Sequence, residues 1–327
     1  MDKKLTLSVV IINYKTPDLC IDCLQTLLPE LKQIDAKVVI VDNASKDDSV
    51  KIIQSWIGQK HYNDLVSIIT SKKNTGFSGG NNIGINAYHA EYYLLLNSDT
   101  LVRPNAIQIL LDAIQHSPSA GVVGPRLEWP DTTPQESCFR FHTPVSELIK
   151  SAASGPITRL FKKFEVPIAV CNEPACYDWL SFACVLIRAD TFKDIGLMDD
   201  GYFMYYEDVE FCYRAKQAGW KMLNIPDSHI VHLQGGSSSV VARTRIRKRL
   251  PRYYYESRSR FFYQAYGYSG LLLANLFWTV GFLLASVRSV FSSDFINPAS
   301  ACQWRDIWIN FFSPLKAFVH PDLYEKS

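Results

Sequence analysis

Apolar and polar residues alternate in blocks through the first 127 residues, and these blocks predict repeated strand–helix units. Short continuous apolar runs are typical of strands that are buried on both faces of a parallel sheet. Polar or glycine-rich turns separate these runs from the segments that follow them. The pattern predicts strands over residues 7–13, 38–42, 65–70 and 92–96, and a further strand that begins at Gly121.

Helix start signals follow the first four predicted strands. Thr16 and Pro17 are the residue types preferred at an N-cap and at the first helical position. Repeated strand–helix units favour an α/β fold with a mainly parallel sheet and helices on both faces. Helices are predicted from Pro17, from a cap at Ser45 or Asp47 toward Trp56, after the glycine-rich residues 74–82 toward Ala90, and from Pro104 to about Gln115.

The pattern changes at about residue 128. Proline, serine and threonine accumulate between residues 128 and 177, so this stretch is expected to be less regular. The later predicted elements are a strand over 179–187, an aromatic loop over 202–206, a helix from Glu207 to about Ala218 that ends at Gly219, and a strand over 221–225.

Residues 269–287 carry no charged side chain and reach the length of about 20 residues that a membrane-spanning helix needs. The residues before them are strongly basic, and Glu256 is the single acid between residues 243 and 260. A basic segment followed by an apolar one favours a helix that lies in or against an anionic leaflet. A buried core or oligomer helix and a true span are the alternatives. The basic residues are Arg243, Arg245, Arg247, Lys248, Arg249, Arg252, Arg258 and Arg260.

The composition is that of an ordinary globular protein, because 47% of the 327 residues are hydrophobic, 20% are charged and the net charge is +2. It argues against a disordered chain and against one that coats nucleic acid. Cys20 and Cys23 lie in a helical apolar pattern without a second pair at zinc-ribbon spacing, so both are predicted to be core residues. Residues 1–5 lack the apolar core of a signal peptide, and reduced cysteines in the cytoplasm are expected.

Two acidic residues follow predicted strands directly. Asp42 ends the second strand, and Asp99 comes just after the fourth. In open α/β sheets ligands bind at the carboxyl ends of the strands, and hard divalent cations share oxygen ligands with phosphates. Asp99 is therefore a candidate for holding a divalent cation against a diphosphate. The alternative for both residues is ordinary turn chemistry.

Three later features are also candidates for chemistry. The glycine-rich residues 74–82 can let a nucleotide approach the backbone, although their spacing is neither that of a P-loop nor G-x-G-x-x-G. Glu207 and Asp208 open a helix behind aromatic residues, where a carboxylate with a raised pKa can act as a general base. His232 precedes a glycine-rich loop, and imidazole is a common ligand of divalent metals. Each feature also has an ordinary structural explanation, such as acids at a helix start.

In their order and spacing these segments resemble the family 2 glycosyltransferases with a GT-A fold, over about residues 5–240. They look most like the bacterial rhamnosyltransferase-like branch. The resemblance implies a Rossmann-like, mainly parallel sheet with flanking helices. It also implies inverting transfer of a sugar, with rhamnose as a candidate, from a nucleoside-diphosphate donor to a saccharide or lipid-linked saccharide in cell-surface polysaccharide synthesis. The matching segments are residues 9–14, 41–45, 74–77, 96–99 and 207–210, and the pair His232 and Gly235.

The resemblance implies roles for individual residues. Asp208 would deprotonate the acceptor hydroxyl, with Glu207 beside it for acceptor binding. Asp99 would bind Mg²⁺ or Mn²⁺ on the diphosphate, and His232 would assist the metal or the diphosphate. Asn13 and Asp42 would contact the base and ribose. The whole nucleotide pocket would contain Asn13, Tyr14, Asp42, Asn74, Gly76, Phe77 and Asn97.

One position departs from the family's pattern, because the motif usually written D-x-D reads Asn97-Ser98-Asp99. The loss of one carboxylate reduces the charge at the metal site, so weak and nucleotide-dependent metal binding is expected. The departure also leaves open a non-catalytic scaffold that binds nucleotide sugars or glycans. The expected organisation is a catalytic domain over 1–240, with a nucleotide-binding half at 1–127 and an acceptor-binding half at 128–240, and a helical membrane-associating region over 241–327.

The expected location is the cytoplasm, with peripheral attachment to the inner face of the plasma membrane. The expected partners are the nucleotide sugar, the glycan acceptor and the membrane surface, and a homo-oligomer is compatible with the sequence. A nucleic-acid partner is not expected, because no base-reading module accompanies the basic cluster.

Overall fold

The computed structural model of the chain describes residues 4–234, 244, 246–292 and 294–324. These residues form two compact units, each assembled from separate stretches of the sequence. Gly235, Arg243 and Arg245, which the sequence analysis singled out, lie outside the described residues. The first unit contains residues 4–139, 169–200 and 211–234, and the second contains residues 140–168, 201–210 and the described residues from 244 onward.

Four parallel strands form one half of the nine-stranded sheet in the first unit. They are β1 (Leu5–Asn13), β2 (Ala36–Asp42), β3 (Val66–Thr70) and β4 (Ala90–Asn97). Their order is β3-β2-β1-β4, so the order of strands reverses between β1 and β4. Such a switch point is where open α/β sheets bind ligands. The four parallel strands predicted from apolar runs are confirmed.

Four helices follow these strands along the sequence. The third of them lies close against β1, because a Cβ on Gly84 would clash with Val10 and one on Gly80 would lie 2.9 Å from Ile12. The buried cysteines of the first helix confirm the prediction that both are core residues. The helices are α1 (Pro17–Leu27), α2 (Ser49–Gln59), α3 (Gly76–Ile85) and α4 (Ala106–His116).

The other half of the sheet is mixed. The remaining strands are β5 (Thr100–Val102), β6 (Ala120–Glu128), β7 (Cys138–Phe139), β8 (Ala175–Tyr177), β9 (Trp179–Leu180), β10 (Cys184–Arg188) and β11 (Lys221–His232). β10 runs antiparallel between β4 and β6, whereas β11 is parallel to β6 and antiparallel to β5 and β8. The sheet therefore continues in the order β4-β10-β6-β11-β5, and β7 pairs with β9 in a separate two-stranded sheet.

Two strand predictions in this half were wrong in their extent. The predicted strand over 179–187 is interrupted, because β9 turns away to pair with β7, where the rings of Phe139 and Trp179 stack at 4.1 Å. The predicted strand over 221–225 continues to His232. The register of β11 against β6 shifts between Ile225 and His229, so a bulge accommodates the proline that follows Ile225.

The stretch over residues 128–177 is more regular than predicted. It contains α5 (Pro144–Ala152) and α6 (Gly155–Leu160) in the second unit, besides the short strands already described. The Thr143 hydroxyl accepts from the backbone N–H of Ser146, and the Ser146 hydroxyl accepts in return from Thr143 N–H. This capping box starts α5 within a stretch rich in proline and serine.

The remaining helices are α7 (Ala189–Ile195), α8 (Glu207–Gln217), α9 (Arg252–Phe291) and α10 (Gln303–Asp306). The predicted C-terminal glycine of α8 is confirmed, because Gly219 has a φ of 91° and its N–H donates to the carbonyl of Lys216. α9 breaks at Gly267, where φ is 67° and ψ is −172°. We call residues 252–266 its first segment and residues 268–291 its second segment.

Candidate active site

Three side chains and one turn lie at the carboxyl ends of the parallel strands. Asn13 ends β1 and is the register partner of Asp42, which ends β2. Asn97 ends β4 and is the register partner of Ile12 in β1. Asp99 lies in the turn that follows. The predicted edge of the sheet that carries two carboxylates is therefore present in the first unit.

Hydrogen bonds fix the carboxylate of Asp42 at this edge. Asn13 Nδ2 donates to Asp42 Oδ1 at 2.8 Å, and the Ser45 hydroxyl donates to the same oxygen at 2.6 Å. The backbone N–H of Ser45 donates to Oδ2 at 3.2 Å. Asn13 Oδ1 accepts from the backbone N–H of Thr16 at 3.2 Å. Because Asn13 is fully buried, its amide orients Asp42, and its direct contact with a nucleotide stays a prediction.

Asn43 holds the glycine-rich loop, a function that the sequence analysis missed. Its Nδ2 donates to Asn74 Oδ1 at 3.0 Å and to the carbonyl of Gly76 at 2.9 Å. Its Oδ1 accepts from the backbone N–H of Thr75 at 2.9 Å. Gly76 starts α3 with a φ of 72°, a left-handed conformation that favours glycine. Asn43 therefore clamps the loop to the end of β2, and its place directly after Asp42 was the available sequence signal.

Tyr14 and Phe77 are half-buried neighbours of these groups in the sequence. The ammonium of Lys15 lies 5.1 Å from the centre of the Tyr14 ring. Phe77 lies in the first turn of α3. Their contacts with a nucleotide stay predictions.

The turn after β4 is held by hydrogen bonds of its own. The Thr100 hydroxyl donates to the carbonyl of Asn97 at 2.7 Å, and the Asn97 N–H donates to the carbonyl of Ala183 at 2.9 Å. Asn97 is half-buried, whereas Ser98 and Asp99 are buried. The motif thus forms an ordinary hydrogen-bonded turn, and this turn also carries Asp99.

His232 lies beside Asp99 although the two are far apart in sequence. The pairing of β11 with β5 makes His232 the register partner of Thr100. His232 Nε2 lies 3.6 Å from Asp99 Oδ1, and the backbone N–H of Leu233 donates to the Asp99 carbonyl at 2.9 Å. The structure therefore brings together the two residues that were predicted to serve a metal.

Asp99 and His232 fit a divalent cation whose coordination a diphosphate completes. Within the described residues, no group of three or more acidic, histidine or cysteine side chains is suited to a metal ion. Two protein ligands supplemented by substrate phosphates are typical of such sites. Nε2 is the ring nitrogen of His232 that faces Asp99, whereas Nδ1 is buried without a hydrogen-bond partner among the described residues. This geometry supports the predicted dependence of metal binding on the nucleotide.

Glu207 and Asp208 open α8 and belong to the second unit. Tyr205 and Tyr206 precede them with φ values of 70° and 67°, which are costly for side chains of this size. Burial, and then the neighbouring Asp208, raise the pKa of Glu207 well above its usual value. Asp208 is half-buried, and its Oδ1 accepts from the backbone N–H of Val209 at 2.8 Å. Glu207 thus favours its protonated form, and Asp208 is the stronger candidate for a base.

Replacement of Glu207 by Gln should make the free energy of unfolding less dependent on pH. Because the folded-state pKa of Glu207 is raised, its stabilising contribution is complete below the unfolded pKa of about 4.3 and is lost as the pH rises through the folded pKa. Glu207→Gln should therefore gain stability over wild type with rising pH, by up to about 1.4 kcal/mol per pH unit between the two pKa values. Urea unfolding at several pH values measures this difference. The exposed Glu136→Gln is the control, and parallel pH profiles for Glu207→Gln and wild type would contradict the prediction.

The sequence profile described as Glycosyl transferase family 2 matches residues 8–169. The chain carries a family 2 glycosyltransferase domain. This finding confirms the family predicted from the motifs. The matched part of the chain contains Asp42, Asn43, the glycine-rich loop and Asp99, and it ends before Glu207 and His232.

Curated relatives of this chain include proteins named as transferases of glycan synthesis. The low-salt glycan biosynthesis hexosyltransferase Agl10 of Haloferax volcanii is 28% identical over 229 residues, which cover 69% of this chain and 65% of the relative. The N-acetylglucosaminyl-diphospho-decaprenol L-rhamnosyltransferase of Mycobacterium tuberculosis is 29% identical over 157 residues, covering 45% of this chain and 48% of the relative. The chain thus spans less than two-thirds of the length of these two relatives. Rhamnosyltransferase WbbL of Escherichia coli is 24% identical over 221 residues, covering 64% and 78%.

Solved structures with a GT-A fold resemble this chain over most of its length. GalNAc-T7 with UDP, GalNAc and Mn²⁺ has a TM-score of 0.55 and 18% identity, covering 91% of this chain and 59% of that one. The mannosyltransferase PcManGT of Pyrobaculum calidifontis, in complex with GDP-Man and Mn²⁺, has a TM-score of 0.54 and 13% identity, covering 100% and 89%. At these identities the likeness shows the fold alone, and it confirms the predicted GT-A fold.

Proposed function

We propose that this chain is an inverting glycosyltransferase of cell-surface polysaccharide synthesis that moves a hexosyl group from a nucleoside-diphosphate donor to a glycan acceptor. The observation that carries the proposal is the position of Asp42 and of the Asp99–His232 pair at the carboxyl edge of the sheet. Relatives named as rhamnosyltransferases support rhamnose as the sugar. One relative's name specifies a diphospho-decaprenol acceptor, which supports a lipid-linked saccharide here.

The donor would bind along the carboxyl edge of the sheet. Asp42, oriented by Asn13 and Ser45, would accept hydrogen bonds from the ribose or base. The loop that Asn43 clamps would bring the backbone of Gly76 against the nucleotide. Asp99 and His232 would hold Mg²⁺ or Mn²⁺ on the diphosphate. When bound, the cation supplies positive charge that stabilises the leaving diphosphate.

The acceptor would react through Asp208. Its carboxylate would accept the proton of the acceptor hydroxyl while that oxygen bonds to the anomeric carbon and the bond to the diphosphate breaks. A single displacement of this kind inverts the configuration at the anomeric carbon. Because its pKa is raised, Glu207 is protonated more readily than an ordinary glutamate, and in that form it would donate a hydrogen bond to the acceptor.

Binding and transfer can be tested separately with a panel of nucleoside diphosphates and their sugars, including the dTDP, UDP and GDP series, with Mn²⁺. A ligand that binds only the folded protein raises its melting temperature. The expected result is stabilisation by one nucleotide series and transfer from its sugar to a lipid-linked saccharide, with an inverted anomeric configuration by NMR. Stabilisation without transfer to any acceptor would instead favour the non-catalytic scaffold. Stabilisation by none of the nucleotides would contradict both functions.

The membrane surface would be contacted by the second segment of α9. Within the described residues, α9 alone has the length and apolar composition of a membrane-crossing helix. One face of the second segment is buried in the second unit, where Gly281 lies against the carbonyl of Leu148 in α5. The opposite face is apolar and exposed, and this apolar face comprises Leu272, Leu273, Leu276, Val280, Leu283, Leu284 and Val287. A helix packed on one side and apolar on the other suits the interface of a bilayer.

The basic residues contribute less to such a surface than the sequence suggested. Arg258 is 2% exposed and ion-paired with Glu147, so it is not available to lipid headgroups. Arg249 and Arg252 are also ion-paired, with Asp306 and Glu256 respectively. Arg247 and Lys248 are exposed and leave a smaller electrostatic attraction to an anionic leaflet.

The double substitution Leu276→Glu and Leu283→Glu should weaken binding to anionic vesicles at least about tenfold. Each buried leucine contributes roughly 1.5–3 kcal/mol, and a tenfold change in affinity corresponds to about 1.4 kcal/mol. Vesicle flotation measures the effect, and Ile52→Glu, an exposed apolar residue of the first unit, is the matched control. Unchanged flotation together with a concentration-dependent dimer would assign the apolar face to a second copy. Resistance of wild type to high salt and alkaline carbonate would indicate a span.

A further inference from the structure

The first segment of α9 holds the aromatic loop, residues 202–206, that immediately precedes Glu207 and Asp208. The hydroxyl of Ser257 donates to the carbonyl of Met204 at 3.1 Å. The hydroxyl of Tyr202 donates to Gln264 Oε1 at 2.5 Å. Both contacts lie within the second unit and attach the first segment to the loop at two points.

Aromatic packing completes this attachment. The ring of Tyr206 lies 5.9 Å from that of Tyr254 and 5.6 Å from that of Phe261. The ring of Tyr205 stacks on that of Tyr253 at 6.4 Å. Because both loop tyrosines have left-handed backbone conformations, surrounding contacts must hold them there. The direction in which the following Asp208 points therefore depends on the first segment of α9.

A single buried side chain bridges the break between the two segments of α9. Arg258 in the first segment donates through Nη1 to Asn275 Oδ1 in the second, at 2.6 Å. Its Nε and Nη2 both donate to Glu147 Oε2 in α5, at 2.9 and 2.8 Å. Arg258, Glu147 and Asn275 are each at most 2% exposed. The guanidinium thus ties together three helical pieces on either side of Gly267.

Stability alone is a weak reason for this arrangement. A buried ion pair often contributes no more than well-packed apolar side chains of similar volume, because desolvation of the charges is costly. Three directional hydrogen bonds from one planar guanidinium do, however, fix an angle between the helices that they join. A glycine break without such a bridge would leave that angle to weaker packing contacts.

We propose that Arg258 is a positioning residue that couples the apolar face of α9 to the aromatic loop before Asp208. The proposal rests on the proposed function, in which the apolar face contacts the bilayer and Asp208 is the base. Docking of the second segment on a bilayer restricts its motion, and the bridge through Asn275 transmits that restriction to the first segment and the loop. Membrane contact then increases the rate of transfer without changing donor affinity.

The variant Asn275→Leu tests this coupling. It removes the acceptor oxygen across the break, keeps the Glu147–Arg258 pair and makes the second segment more apolar. Wild type should show at least about fivefold faster transfer with phosphatidylglycerol–phosphatidylethanolamine vesicles, the lower end of typical coupling between two sites. Vesicles should also slow amide hydrogen exchange in residues 201–210. Asn275→Leu should still bind the vesicles and the donor, but both vesicle effects should disappear.

Two further variants separate coupling from simple loss of structure. Thr279→Leu makes a similar polar-to-apolar change one turn further along α9. It removes a hydroxyl that donates to the backbone carbonyl of Asn275 but leaves the side-chain oxygen that accepts from Arg258, so it should retain both vesicle effects. Asn275→Asp keeps an acceptor oxygen for Arg258 and should retain them too. Full vesicle effects in folded Asn275→Leu would overturn the proposal. If Asn275→Leu does not fold, loss of the effects in folded, vesicle-bound Asn275→Asp would overturn it.

The exchange measurement distinguishes this proposal from the proposed function. Vesicle-dependent protection of residues 201–210 that Asn275→Leu lacks would support the coupling even if no transfer were detected, in which case the proposed function fails. Transfer that vesicles do not accelerate, with exchange in residues 201–210 unaffected by vesicles, would leave the proposed function intact and remove the coupling.

Discussion

Replacement of Asp208 by Asn should lower glycosyl transfer by about 10²–10⁴-fold, the usual contribution of a general base. Asparagine has nearly the same shape and keeps an oxygen for the N–H of Val209, so the start of α8 should persist. It cannot accept the proton of the acceptor hydroxyl at neutral pH. Steady-state transfer assays measure the loss in kcat, and donor titration should give a nearly unchanged dissociation constant.

The exposed Asp227, which lies in the bulge of β11, provides the matched control. Asp227→Asn makes the same chemical change at an exposed position of the first unit and should transfer sugar like wild type. Transfer by Asp208→Asn within a few-fold of wild type would remove Asp208 from the mechanism. Glu207 would then be the remaining carboxylate at the start of α8.

Replacement of Asp99 by Ala should remove the metal-dependent part of nucleotide binding. Changes to the groups around metal ligands cost about 10–100-fold in affinity, so loss of a ligand itself should cost at least about 100-fold. His232 alone would remain beside the diphosphate, and one imidazole is a poor site for a hard cation. Isothermal titration with a nucleoside diphosphate, with and without Mn²⁺, measures both parts of the binding.

Substitutions at the two preceding positions of the same turn should not weaken Mn²⁺ binding. Asn97→Asp restores a carboxylate where the family's motif usually has one, and it should tighten Mn²⁺ binding by adding a hard oxygen ligand. Ser98→Ala changes the turn without changing the charge and should bind like wild type. Equal metal dependence in Asp99→Ala and wild type would show that the motif is only a turn.

The sheet and its acidic edge could be predicted from the sequence because they follow from local patterns. The run through Val9, Val10 and Ile11 is apolar on both faces, as a central parallel strand must be. Asp42 and Asp99 lie at strand ends that the same runs define. The contact of Asp99 with His232 could not be predicted from local patterns, and only the family resemblance implied that both serve a metal. The contact depends on β11 continuing past Pro226, a residue type that normally ends a central strand.

The contacts of the second unit could not be predicted from the sequence, because they join charged and polar residues that are buried in the helices of this unit. Arg258 was counted among the basic residues that favour an anionic leaflet, and Asn275 is a polar residue within the uncharged stretch 269–287. Each explains the other once the hydrogen bond between them is known. Thr143 and Pro144 are residue types preferred at a helix start, but the prediction for residues 128–177 rested on their composition and did not include α5.

The two units are assembled from interleaved stretches of the chain. This arrangement sets the order in which the proposed donor site and the support of the proposed base can form during synthesis. Every described residue of the first unit precedes residue 235, so the complete sheet can fold while the rest of the chain is still being made. The aromatic loop leaves the ribosome before the first segment of α9 that must support its two left-handed tyrosines. A nascent or prematurely terminated chain that lacks α9 would therefore possess the donor-side edge without a supported base. Under the proposed function, competence for transfer would arrive only with the helix that also carries the apolar face.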